Sequence, residues 1–276
     1  MRGASMQSLC AMICCIFFYA QATLAQTRSS LPNTFFKDVS HVAGATGHVL
    51  VSPLRWQGRD WARFGAVIGG AVAFSFLDEE VNDYLLRHHS RTADKLAEVG
   101  IEYGEPRTVV ILTGGVYALG LLARHERLRE TAVILSGALL PSGGIQAVTK
   151  TATGRARPRL GLGHDVFEPW RGEEAYYSFF SGHAMVAMAA SHAFARQFPH
   201  PVVKVVFYSL GAAGSFARLY HEDHWLSDVL IGNVLAIASV NSVSKWLAQR
   251  QEGPAPGHLQ WRLFARRRSL GAEISW

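Results

Sequence analysis

Apolar residues occur along this chain in long blocks that are separated by polar stretches. The blocks lie at 64–77, 108–123, 131–145, 184–198, 202–216 and 226–243. They are too long for typical strands and do not alternate between apolar and polar residues, so the pattern favours helices. We therefore expect an all-α protein, a bundle of about six core helices. Segment 26–60 has no clear period and is expected to be a mostly irregular arm with one short helix.

The composition of the blocks favours a membrane-embedded bundle. The chain is 49% hydrophobic and 17% charged, and the charged share is below the roughly 25% of soluble domains. Small residues such as Gly114 and Gly115 permit close helix packing in lipid. Each block is nevertheless shorter than the ~20 residues of a typical span, and two of them contain the charged residues Lys204 and Asp228. A soluble periplasmic bundle is therefore the alternative.

The first 25 residues have the organisation of a secretory signal peptide. One arginine precedes an apolar run, and small residues follow at a position suited to cleavage. An uncleaved membrane anchor is the alternative. The three cysteines, Cys10, Cys14 and Cys15, all lie in this segment. A mature chain would then lack cysteine, which excludes disulfides and cysteine-ligated zinc. The expected location is the bacterial cell envelope.

The charge distribution predicts which way the bundle faces. The net charge of +6 suits phosphate groups or acidic lipid surfaces, whereas the basic residues form no nucleic-acid-binding stripe. Basic residues concentrate in loop 124–129 and in the linker and tail at 251–276. The positive-inside rule places both in the cytoplasm. Segments 146–182 and 217–225 then face the periplasm, provided that block 64–77 does not fully cross.

The first cluster of chemical residues is the sequence KTATGRARP at 150–158. Lys150, Arg155 and Arg157 can converge on one anion, and arginine is suited to bidentate binding of phosphate oxygens. A solvated basic loop is the alternative.

The second cluster directly precedes an apolar helix. Ser181 is a good N-cap, and Gly182 lets a ligand approach the backbone. Free amides at a helix start can bind an anion, and His183 would lie in the first turn. The alternative is an ordinary cap with an incidental histidine, and His192 is interpreted as structural.

The third cluster is ARLYHEDHWLSD at 217–228. His224 and Asp228 are four residues apart, so they are neighbours on one face if a helix begins near His224. A carboxylate beside an imidazole fixes its tautomer and leaves the other nitrogen free to attack. Arg218 could add another phosphate contact.

Two further clusters of titratable residues are given no catalytic role. A metal site of His221, Asp223 and His224 would lack a complete ligand set at a recognised spacing, so no metal is expected. His221, Glu222 and Asp223 are instead interpreted as loop residues that tune the entrance. The segment 78–80 is interpreted as a solvated helix end.

Together the three clusters resemble the type 2 phosphatidic acid phosphatase (PAP2) superfamily, which also includes bacterial non-specific acid phosphatases and vanadium haloperoxidases. Its motifs are K-x6-R-P, P-S-G-H and S-R-x5-H-x3-D. The resemblance covers roughly residues 105–245, within an expected phosphatase domain at 61–250. Phe180 replaces the proline of the second motif, and Ala217 replaces the serine of the third. Neither change removes a charged or nucleophilic group.

The resemblance implies a role for each matching residue. His224 would attack phosphorus and form a phosphohistidine, Asp228 would orient it, and His183 would protonate the leaving oxygen. The phosphate would be held by Lys150, Arg157, Ser181, Gly182 and Arg218.

This implies a metal-independent phosphatase without a cofactor. It would act on phosphate monoesters or diphosphates, above all lipid phosphates of the phosphatidic acid or polyprenyl diphosphate type. The partners are the lipid substrate and the membrane. Alternatives are a soluble acid phosphatase, a haloperoxidase and a degenerate phospholipid-binding protein.

Overall fold

The structure, a computed structural model, describes residues 30–251 and two short strands near the C-terminus. The described helices are α1 (Leu31–Val51), α2 (Gly58–Ser75), α3 (Asp78–Arg87), α4 (Arg91–Gly104), α5 (Pro106–Leu122), α6 (Glu126–Thr153), α7 (Gly182–Ala195), α8 (Pro201–Tyr220) and α9 (Leu226–Gln251). Short 3-10 turns lie at Ser52–Arg55, Pro158–Leu160 and Glu174–Tyr176. The expected helical bundle is confirmed.

The arm expected to be irregular is in fact largely helix α1, which has 21 residues. The expectation was wrong because the buried face of α1 is made of small and polar residues. Ala45 is buried against Gly137 of α6, and Asp38 is also buried. Gly44 packs so closely on Trp246 that a Cβ there would lie 2.6 Å from the indole. Such a face gives a weaker apolar pattern in the sequence than a face of large buried residues would, because Val42 and Val49 pack against the core while only partly buried.

Helix α7 is the centre of the bundle. All but two of its 14 residues are buried, and it packs mainly against α8 and α9, with further contacts to α6 and α4. Most of these residues are alanines or other small residues, which let neighbouring helices approach closely. A helix that is apolar on all sides belongs in the interior, so the residues at its N-terminus are held by a rigid core.

Three helices, α6, α8 and α9, are long and apolar enough to cross a membrane. Large apolar side chains on the outside of the bundle are well exposed, as Leu122, Leu140 and Val148 illustrate at 75%, 62% and 66%. These helices extend well beyond the apolar blocks, because backbone hydrogen bonds continue through flanking polar residues. Length and exposed surface together describe a membrane protein.

The ends of four helices meet at one end of the bundle. Helices α6 and α8 finish there, α7 and α9 begin there, and segments 154–181 and 221–225 connect them. From Glu126 to Lys150, α6 rises by about 36 Å at 1.5 Å per residue, which exceeds the ~30 Å hydrocarbon core. The basic loop 124–129 is therefore at the opposite end from this meeting point.

The C-terminal tail forms a two-stranded antiparallel pair, β1 (Gln260–Arg266) and β2 (Ser269–Ser275). The pairing was not expected from its basic composition. The proposed signal peptide and the linker at 252–258 lie outside the described residues.

Candidate active site

The first motif turns sharply where α6 ends. Gly154 has φ +57°, and a Cβ at this position would lie 1.8 Å from the carbonyl oxygen of Glu168. Only glycine fits such a left-handed and crowded position. The turn keeps Lys150 in the last helical turn and directs Arg155 and Arg157 back toward the helix ends.

Arg155 is buried and paired with two carboxylates. Its Nη2 donates to Asp78 Oδ2 at 2.8 Å, and its Nη1 donates to Asp228 Oδ1 at 2.6 Å. The side chains of Asp78 and Asp228 are both 0% exposed. Asp78 also accepts from the backbone N and the hydroxyl of Ser227, at 2.8 and 2.7 Å. Arg155 therefore joins α3 to α9, and its charge is balanced within the protein.

Arg157 and Arg218 have a different environment, because each retains an unused donor. Nη1 of Arg157 donates to Asp223 Oδ1 at 3.0 Å, and Nη1 of Arg218 donates to Asp223 Oδ2 at 3.3 Å. Both residues are more than nine-tenths buried. Their Nε atoms are nevertheless without a hydrogen-bond partner in the described part of the chain. Buried polar groups are normally paired, so these two donors indicate a place for an anion.

The second motif caps α7 as the sequence predicted. Ser181 Oγ accepts from the backbone N of Ala184 at 3.4 Å. The space beside Gly182 is filled by Gln146, whose Nε2 would lie 1.7 Å from a Cβ at that position. His183, in the first turn, is partly exposed, and its Nε2 lies 3.6 Å from Glu105 Oε2 at the start of α5.

The third motif holds its histidine in one tautomer. His224 Nδ1 lies 2.6 Å from the backbone carbonyl oxygen of Ser178. A carbonyl oxygen only accepts, so Nδ1 carries the proton and Nε2 carries the lone pair. Burial lowers the pKa of His224 well below its ordinary 6.5, and the charges of Lys150 and Arg157 lower it further. The imidazole is therefore neutral at pH 7 and suited to nucleophilic attack.

Asp228 is a neighbour of this imidazole, as the spacing predicted, but it does not hydrogen-bond to it. Its Oδ2 is 4.0 Å from His224 Nδ1, beyond hydrogen-bond distance. The same oxygen accepts from the hydroxyl of Ser178 at 2.6 Å and from the backbone N of Trp225 at 3.0 Å. Asp228 therefore holds Ser178, and the carbonyl of Ser178 orients His224.

The two departures from the family motifs are apolar packing positions. Phe180 is 3% exposed and belongs to the main core cluster. Ala217 is 0% exposed and packs with Ala97 and Tyr220. Every charged or nucleophilic residue of the three motifs is present near the meeting point of the four helices.

Sequence reasoning missed four residues of this region: Asp78, Glu105, Ser178 and Asp223. Asp78 was interpreted as part of a solvated helix end, but it is buried against Arg155. Asp223 was interpreted as a loop residue, but it binds arginines. The local sequence does not distinguish buried Asp78 from its exposed acidic neighbours, because its partner Arg155 is 77 residues away. Asp223 is half-buried, and two of its three arginine partners are more than 60 residues away.

An apolar cavity of about 1030 Å³ extends from this region between α1, α5, α6 and α7. Its upper end is lined by Pro106, Gln146 and Gly182, next to the second motif, and its lower end by Asp38 and Tyr117. Along α6 it extends from Ala132 to Gln146, about 21 Å at 1.5 Å per residue.

Comparisons with known proteins agree with this geometry. The family model described as the PAP2 superfamily matches residues 131–252, whereas no curated protein sequence matches. Two solved structures share the fold at 17% sequence identity. LpxE of Aquifex aeolicus has a TM-score of 0.50, covering 61% of this chain and 95% of that one. The transmembrane PAP2-type phosphatidylglycerolphosphate phosphatase of Bacillus subtilis has a TM-score of 0.53, covering 69% of this chain and 96% of that one.

The family match contains all three motifs, and the motif residues meet at one end of a helical bundle that has the same fold. Residues 131–252 therefore match the PAP2 superfamily, and the helical bundle that contains them shares its fold with two solved structures, one of them a transmembrane PAP2-type phosphatase.

Proposed function

We propose that the protein hydrolyses lipid phosphates, either monoesters or diphosphates, through a phosphohistidine on His224. The observation that carries this proposal is the pair of buried Nε donors on Arg157 and Arg218, which have no partner among the described residues and belong to the same helix-end cluster as the neutral His224. Phosphoryl transfer requires mainly positioning and the neutralisation of spread negative charge. Two guanidinium groups, the ammonium of Lys150 and the start of α7 can provide both.

In the first step, His224 Nε2 attacks phosphorus in line, and the bond from phosphorus to the leaving oxygen breaks. Protonated His183 donates its proton to that oxygen and becomes neutral. In the second step, His183 takes a proton from water, and the resulting hydroxide oxygen attacks phosphorus. The bond between phosphorus and Nε2 breaks, inorganic phosphate leaves, and His183 is protonated again.

Ser178 and Asp228 support the nucleophile in this scheme. The Ser178 carbonyl keeps the proton on Nδ1 throughout the attack, so that Nε2 remains the nucleophile. The nearby carboxylate of Asp228, 4.0 Å away, stabilises the positive charge that develops on the imidazole ring. The sequence motif assigned the orientation of His224 to Asp228 alone. In this scheme the Ser178 carbonyl oxygen orients the imidazole, and the Asp228 carboxylate supplies the negative charge.

The apolar cavity supports a lipid substrate over a water-soluble one. It begins at Gly182 and Gln146, beside the phosphate site, and is otherwise lined mainly by apolar residues. Its extent of about 21 Å along α6 exceeds the roughly 15 Å of one leaflet of a 30 Å hydrocarbon core. A hydrocarbon chain attached to the phosphate can occupy it, whereas a soluble ester gains nothing from it.

The charge distribution supports a site that faces the periplasm. The basic loop 124–129 lies at the other end of α6, and positively charged loops prefer the cytoplasm. A membrane-impermeant thiol reagent added to intact cells tests this with single cysteines introduced at Arg171 or Arg124. Labelling at residue 171 but not at 124 is expected, and the reverse would contradict the proposed orientation.

Phosphate release from a substrate panel tests the activity. The full-length protein in detergent is assayed with EDTA on phosphatidic acid, a polyprenyl diphosphate, a phosphorylated lipid A and a soluble aryl phosphate. We expect lipid phosphates to be preferred, His224→Ala to abolish release, and a phosphorylated protein to be trapped only when His224 is present. His221→Ala, a change in the neighbouring loop, is the matched control. Equal slow release by wild type and His224→Ala would contradict the proposal.

A further inference from the structure

Asp223 is the carboxylate on which the arginines at the site entrance converge. Its Oδ1 accepts from Nη1 of Arg157 at 3.0 Å and from Nη1 of Arg159 at 3.2 Å. Its Oδ2 accepts from Nη1 of Arg218 at 3.3 Å. The proposed mechanism assigns no role to this residue.

The backbone fixes the position of this carboxylate. The N–H groups of Asp223 and His224 both donate to the carbonyl oxygen of Arg218, at 3.1 and 3.2 Å. The segment that follows α8 therefore folds back onto its last turn. Asp223 is consequently held relative to Arg218, the residue that it binds, and relative to His224, the proposed nucleophile.

A guanidinium group is planar, and its five N–H donors have a fixed arrangement. When Nη1 is held by a carboxylate, the direction of the Nε–H donor is also restricted. In both Arg157 and Arg218, Asp223 binds Nη1, and Nε remains buried without a partner in the part of the chain that the structure describes. One carboxylate thus aligns two arginines and leaves a donor of each available.

We propose that Asp223 is a positioning residue of the phosphate site, which presets Arg157 and Arg218 so that their Nε–H donors bind the phosphoryl oxygens. The inference rests on the proposed function of that site. The arginines are then aligned before the substrate arrives, and less conformational freedom is lost in the transition state.

Charge alone predicts the opposite effect of removing this carboxylate. A negative group beside an anion site repels phosphate, so its loss would strengthen phosphate binding. Positioning predicts weaker binding, because the guanidinium groups become free to rotate. The sign of the change therefore distinguishes the two explanations.

The experiment compares Asp223→Asn and Asp223→Glu with wild type in the full chain. Calorimetry measures the Kd of inorganic phosphate and of orthovanadate, and phosphate release gives kcat and KM. We expect both variants to bind vanadate about 10- to 100-fold more weakly, the range that outer ligand partners show elsewhere. We expect kcat to fall more than KM rises, because the aligned donors matter most in the transition state. Asp223→Glu keeps the charge but displaces it, so a pure charge effect would leave this variant unchanged.

Glu222→Gln is the matched control, since it removes the same charge one position away and leaves the three arginine contacts of Asp223 in place. The Kd of phosphate and the Kd of vanadate are both expected to stay within about twofold of wild type, the size of effect typical of substitutions away from specific contacts. Unchanged or tighter phosphate and vanadate binding in Asp223→Asn would overturn the inference. Failure of wild type to release phosphate from any substrate would instead contradict the proposed function, and the Kd comparison would still decide the role of Asp223.

Discussion

Arg155 and Arg157 lie two residues apart in one motif but have opposite environments. The side chain of Arg155 is 4% exposed and binds two fully buried carboxylates. Arg157 is bound at Nη1 by Asp223, and its Nε has no partner in the described residues. Arg155 therefore connects parts of the protein, whereas Arg157 retains binding capacity for a ligand.

Arg159, two residues after Arg157, lies closer to solvent than either Arg155 or Arg157. Its side chain is 42% exposed, and it contacts Asp223 and the largely exposed Glu174. Residues 155, 157 and 159 thus lie in turn in the protein interior, at the proposed phosphate site and at the surface. The comparison teaches that a dense basic motif need not act as one unit, because each guanidinium takes its role from the carboxylates around it.

The largest expected effect is on stability, in Arg155→Met. The change leaves Asp78 and Asp228 buried without a cation, and breaking a buried ion pair typically costs about 3–5 kcal/mol. Thermal unfolding in detergent should show a large decrease in Tm, with loss of phosphate release. The double variant Asp78→Asn/Arg155→Met should recover part of the stability, because one buried charge is removed as well. Wild-type stability in Arg155→Met would show that the pairing is unimportant.

The next effect is on catalysis, in Arg157→Ala. Loss of one donor to transition-state charge typically costs about 10²- to 10³-fold in rate, and we expect kcat/KM for lipid phosphate to fall by this factor. The Tm should change little, because the removed group includes a buried Nε donor with no partner within the described ranges. Arg171→Gln is the control, because it removes one positive charge from the surface and leaves the proposed phosphate site unchanged. A large loss of stability with normal turnover would reverse the assignments of Arg155 and Arg157.

The pH dependence tests the influence of the inner cations on His224. Burial and nearby cations lower its pKa, so the imidazole stays neutral below pH 6.5. In an ordinary histidine, the neutral fraction would fall about tenfold for each pH unit below this value. The acid limb that reports His224 should therefore lie below pH 6.5. In Lys150→Met the pKa should rise, since a nearby positive charge is removed, and the limb should move to higher pH. Comparing the two proteins on one substrate cancels the ionisation of the substrate itself, and an unmoved limb would contradict the prediction.

The smallest effect is expected for Arg159→Ala. Exposed ion pairs contribute about 0.2–1 kcal/mol, so kcat/KM should change by no more than about fivefold. Steady-state kinetics on the same lipid phosphate measure it. A loss as large as that of Arg157→Ala would show that the phosphate site extends to the surface arginine.

The sequence alone determined the helical class, the three motifs and the residue types of the site. The long apolar blocks and the short internal spacings of the motifs can both be recognised from a short stretch of sequence. The caps are also local, so Ser181 was identified correctly as the start of α7. Helix α1 was missed because its fully buried positions are small or polar residues, whereas its larger apolar residues are only partly buried.

Only the tertiary structure decided which charged groups are paired and which remain available. The hydrogen bonds of Arg155 to Asp78 and to Asp228 join positions 77 and 73 residues apart, and Ser178 lies 46 residues before His224. No local period reports contacts over such separations. The physical reason is that a buried charge is stable only beside its counter-charge, and the fold alone brings these groups together.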